Sequence, residues 1–134
     1  YTKKVQIEAR VLGDLAINHV IPVATRYQSI LADNLVKLKS IFPAEKLERI
    51  ASQDMETIEM IATHMNIIKE EVERMVQARK KANRIESERE KAIAYHDTVA
   101  PSMDVIRYHI DKLELLVDNQ LWPLPKYREL LFIR

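Results

Sequence analysis

Apolar residues recur along this chain in steps of three and four, the spacing of one buried face of an α-helix rather than the alternation of a strand. Leu12, Ala16, Val20, Ala24, Tyr27, Leu31, Leu35, Leu38 and Phe42 make a first stripe, which predicts a helix over about residues 5–40. Pro22 stands inside it. A proline there removes the hydrogen bond to the carbonyl of Asn18, so the helix is expected to bend or break near that point. Gly13 lies one face away and weakens the first half. Ile41-Phe42-Pro43-Ala44-Glu45 then reads as a stop and a proline-led restart.

A second stripe, from Leu47 and Ala51 through Met55, Ile58, Ala62, Met65, Ile68, Val72 and Met75 or Val76, predicts a helix over about residues 44–82. The segment 70–91 alternates in charge and holds Glu70 four residues before Arg74, a helical ion-pair spacing. It is read as a solvated hairpin end, with a reversal between Asn83 and Ser87. The third stripe, Ala92, His96, Val99, Met103, Ile106, Ile110, Leu113 and Val117, alternates steps of four and three. It predicts a helix over about residues 88–119 with a coiled-coil-like seam, bent near Pro101. At about 1.5 Å per residue each helix would be roughly 45 to 55 Å long. The expected class is all-α: an elongated antiparallel bundle of three long helices, folded as a single domain.

The last residues break the pattern. In LWPLPKYRELLFIR, Pro123 and Pro125 push Trp122 and Leu124 toward extended backbone, and Pro125 can open a short helix that carries Tyr127, Leu131 and Phe132. Such a tail, residues 121–134, leaves too much apolar surface in water to stand alone. It is expected to be docked.

Composition narrows the function classes. Lys and Arg number 21 against 20 Asp and Glu, which offers no basic footprint for nucleic acid or an anionic membrane surface. With no cysteine, disulfides, thiolate catalysis and cysteine-held metals are excluded, and the cytoplasm is the default compartment. The apolar runs fall short of the roughly 20 residues that span a bilayer. The first residues, YTKKVQIEAR, lack an initiator methionine and any signal-peptide pattern, as expected of a segment cut from a longer protein.

Candidate chemistry is sparse. A di-iron or di-manganese bundle needs Glu-x-x-His on a helix face, but Ala16, Ile61, Ile93 and Ile106 stand three before His19, His64, His96 and His109. His96 sits on the third seam beside the Pro101 break and is expected to be a core polar residue that sets register or bonds a freed carbonyl. His109 and Lys112 have the spacing of a histidine phosphotransfer domain, although Leu113 stands where those domains favour a small residue. One glycine within a helix cannot build a phosphate cradle. Tyr27, Tyr95 and Tyr108 are expected to be partly buried. No residue is assigned to catalysis, a cofactor or a metal.

Four stretches carry a resemblance. RVLGDLAINHVIP (10–22), REKAIAYHDTV (89–99), IRYHIDKLELLVD (106–118) and above all LWPLPKYRELLF (121–132) resemble the C-terminal region of type III glutamine synthetases, the large bacterial form. The resemblance implies a parent that joins ammonia to glutamate with ATP and a divalent metal such as Mg, and that assembles from rings of subunits. The ATP, metal and glutamate residues of that family lie upstream of the region matched, so no site residue carries over. The implied role is a non-catalytic helical domain whose partners are the rest of the enzyme and neighbouring subunits, with self-association as a further possibility. Trp122, Pro123, Pro125, Tyr127, Leu131 and Phe132 are its expected contact residues. A free-standing interaction module and a phosphotransfer domain using His109 are the alternatives.

Overall fold

The computed structural model describes residues 1–117, and all the regular structure among them is helical. The elements are α1 (Thr2–Leu15), a π-helical turn (Ala16–Val20), α2 (Ile21–Lys39), α3 (Ala44–Asn83), α4 (Glu88–Ala94), a second π turn (Tyr95–Val99) and α5 (Ala100–Leu116). Each π turn joins its flanking helices without a break. The described residues therefore make three long helices, the second about 60 Å long and the third about 43 Å at 1.5 Å per residue.

Pro22 and Pro101 do not break their helices. Each stands two residues after the end of a π turn, in which Ile21 N–H bonds the carbonyl of Ala16 and Ala100 N–H bonds that of Tyr95. A proline lacks the donor and its ring crowds the carbonyl four residues back. Widening the preceding turn by one residue is one of the recognised ways a helix absorbs that defect. The apolar pattern agrees: Leu12, Ala16, Val20 and Ala24 are buried in three successive steps of four, a spacing that drifts off one face of an ordinary helix.

The second π turn corrects the expected seam. His96 is exposed, with 75% of its side chain in water, and stands beside Asp97 at 3.1 Å. Tyr95 takes the core position instead and is fully buried. The strict four-three spacing puts residue 96 inward, whereas the wider turn makes the inward steps Tyr95, Val99 and Met103.

The reversals have identifiable caps. Ser40 Oγ donates to the carbonyl of Lys37 at 2.6 Å, and the Pro43 carbonyl accepts from Lys46 and Leu47, so Pro43 is the N-cap of α3. At the other end, Ser87 Oγ accepts from Glu90 N–H at 3.3 Å and caps α4. Ser87-x-x-Glu90 has the sequence form of a capping box, the signal that marks this boundary without glycine or proline. The third helix ends at Leu116, short of residue 119, where Val117 turns to extended backbone.

Cross-helix contacts set the directions. Gly13 faces Val72 and Met75, Thr25 Oγ1 donates to Met65 Sδ at 3.4 Å, and Gln28 Nε2 donates to the Ile58 carbonyl at 3.0 Å. As numbers rise on the first helix they fall on α3, so these two are antiparallel. His64 against His109 and Asn83 against Tyr95 give the same result for α3 and the third helix.

The third helix does not cover the whole hairpin. It reaches α3 only down to the level of about residue 56, and from there to the Phe42-Pro43 reversal α2 and α3 form a two-helix arm. Every buried apolar residue but Ala51 lies in the three-helix part. Among the described residues the bundle is thus three-stranded over only part of its length.

Candidate functional site

The side chains capable of chemistry form small groups, each tied to packing. His64 on α3 and His109 on α5 meet at 2.8 Å between their Nδ1 atoms, so one ring donates and the other must present a bare lone pair. Tyr108 stands edge-on to His109 with ring centres 5.0 Å apart, and Lys112 lies 5.2 Å over the Tyr108 ring. Burial lowers the His64 pKa below its ordinary 6.5, and the charges of His109 and Lys112 push it the same way. The pair is an interhelical clip that favours a neutral His64. His109, the residue of the phosphotransfer alternative, is half-buried, with its Nδ1 against His64.

Tyr95 fills the second π turn, and its hydroxyl donates to Asn83 Oδ1 across the α3–α4 reversal. Burial raises its pKa, against smaller opposing contributions from Arg79, Asn83 and Arg10. Glu71 is buried and accepts from Arg74 at 2.8 Å. Arg74 therefore pairs three residues back with Glu71 rather than four back with Glu70, because Glu71 lies on the inward face of α3 while Glu70 is exposed. Of the three tyrosines expected to be partly buried, only Tyr27 is so; Tyr95 is buried completely and Tyr108 is 55% exposed.

No group of three or more His, Asp or Glu able to hold a metal ion stands together among the described residues, and none of their helices is long and apolar enough to cross a membrane. Trp122, Pro123, Pro125, Tyr127, Leu131 and Phe132 lie outside the described residues. Among the described residues the most exposed large apolar side chains are on the arm, where Val36 and Ile41 are 69% and 68% exposed. A groove of about 550 Å³ runs there between α2 and α3. The sequence reading missed it, since its stripe looks the same in the arm as in the three-helix part.

The comparisons with known proteins add what the geometry alone does not. Residues 1–39 match the family model for the glutamine synthetase C-terminal domain. The whole chain is 52% identical to a glutamine synthetase of Bacteroides fragilis and 27% identical to a type-3 glutamine synthetase of Dictyostelium discoideum. Over its whole length the chain is thus similar to a region of glutamine synthetases. It spans 18% of the length of each of those two relatives. The matched family model covers the first long helix, and the two relatives extend the likeness over α3 and the third helix.

Proposed function

We propose that this chain is a non-catalytic helical domain from the C-terminal part of a type III glutamine synthetase, an enzyme that joins ammonia to glutamate using ATP and a divalent metal such as Mg. Its role there is to support the assembly and stability of the subunits. The observation that carries the reading is the 52% identity over the entire chain to a glutamine synthetase five times its length or more. The geometry supports it: Tyr95 and the His64–His109 pair hold helices together, and the arm presents apolar residues outward. Long helices joined by tight reversals expose extended faces with little backbone freedom left to lose, which suits contact between subunits.

The arm's exposed apolar residues also favour the second reading, an interaction module that acts by itself. The assembly role is tested by placing charge at the arm tip, Ile41→Asp with Ile50→Asp, in the polypeptide of the relatives' length. Both positions are exposed, 68% and 44%, so the helices should survive. The expected result is a smaller particle by light scattering with glutamine formation per intact particle retained. Unchanged particle mass with lost turnover would overturn the assembly role.

A further inference from the structure

The groove between α2 and α3 on the arm is lined by Leu35, Val36, Leu47, Ala51 and Met55. Val36 and Met55 are 69% and 49% exposed, so apolar surface stays in water that burial would stabilise at about 25 cal/mol per Å². The course of the chain indicates what covers it. His109 lies beside His64, and α5 runs antiparallel to α3. About eight residues further on, at roughly 1.5 Å each, Val117 comes level with about residue 56 of α3. That is the end of the groove at Met55, and it is where the backbone leaves the helix for extended geometry.

Residues 118–134 follow, with Leu121, Trp122, Leu124, Leu131 and Phe132 among them. Residues 118–121, if extended, reach about 13 Å. A step sideways of about 9 Å, the spacing of packed helices, together with five residues' rise along α3 requires about 12 Å. Trp122 can therefore arrive over Ala51. We propose that segment 121–132 of this same chain docks in the arm groove and gives α2 and α3 the third apolar face that α5 gives the rest of the bundle. The inference is independent of the assembly role and of the family.

The test uses the chain's one tryptophan, since Trp122 fluorescence then reports the segment directly in the 134-residue chain. Docking predicts blue-shifted emission and poor quenching by iodide. Met55→Lys or Val36→Asp should shift the emission to the red and raise quenching, with helix content by circular dichroism unchanged. Water-exposed emission in the unaltered chain would overturn the proposal. So would blue-shifted emission that reddens on dilution, which means docking on a second copy. A companion measurement works within the longer polypeptide. Removing residues 121–134 and substituting Met55→Lys should each speed amide exchange in residues 44–58, and no change in either would equally overturn docking, leaving another part of the polypeptide as the tail's partner.

Discussion

The same apolar stripe has two outcomes in this molecule. On the first long helix, Leu12, Ala16, Val20 and Ala24 are buried, whereas Leu31, Leu35, Leu38 and, just past its end, Phe42, which continue the stripe in steps of four and three, are only half-buried. α3 repeats the contrast: Ile61, Met65, Ile68 and Met75 are buried, and Met55 is 49% exposed. The difference is the third helix, which packs against one part of the hairpin and not the other. Two helices can shield one line of side chains between them, but a closed core needs a third wall. Stability should therefore be concentrated in the three-helix part, with the arm opening more easily.

Truncating equivalent apolar residues in the two regions tests this most directly. Ile68→Ala, in the three-helix core, should cost about 2 to 5 kcal/mol in urea unfolding. Leu35→Ala, in the arm, should cost only about 1 kcal/mol in a chain without residues 121–134, since little burial is then lost. Equal losses would erase the distinction between the regions.

Tyr95→Phe removes the hydroxyl that joins the second π turn to Asn83 while keeping the ring that fills the core. A loss of about 1 kcal/mol is expected, the ordinary worth of one hydrogen bond. A neutral result would mean that water replaces the bond and that ring packing alone holds the turn.

Gly13→Ala should instead stabilise the three-helix part by up to about 1 kcal/mol, the helix-propensity difference. An added Cβ would meet Met75 Cε at 3.4 Å and Val72 Cγ1 at 3.9 Å, both ordinary contacts, and the glycine does not use positive φ. A lowered melting temperature would show that α1 and α3 are packed more tightly there than these distances imply.

The smallest effect expected is a pH dependence. The His64 pKa is lowered in the folded chain by burial, then by His109 and Lys112, from its ordinary 6.5. The unfolded chain thus takes up its proton first as the pH falls. Stability should be full above about 6.5, decline as pH drops through that value, and level off below the folded pKa. His64→Gln should flatten that decline, and an unaltered slope would assign the titration to another group.

Much of the helical framework was legible in the residues. The Phe42-Pro43 restart and the reversal between Asn83 and Ser87 mark the ends of three long helices because proline geometry and side-chain caps act within one turn. The π turns were not legible from the four-three pattern. Pro22 and Pro101 announce a defect, but whether a helix breaks, bends or widens depends on the packing around it, and that choice exchanged His96 for Tyr95 in the core. Arg74 met Glu71 rather than Glu70 for a similar reason: helical spacing permits both pairs, and only the inward face of α3 selects one. The His64–His109 clip joins residues 45 apart in sequence, a distance no local pattern spans.

By itself, then, the sequence determined the all-helical class, the reversals, the absence of cysteine chemistry and the resemblance to glutamine synthetases. Each follows from residue identities or from forces acting within a turn or two of the chain. Only the tertiary structure decided which half of each stripe becomes core, which histidines meet, and how the prolines are absorbed. These depend on where the third helix stops against the other two, and burial belongs to the neighbours a residue has in space rather than to those in sequence.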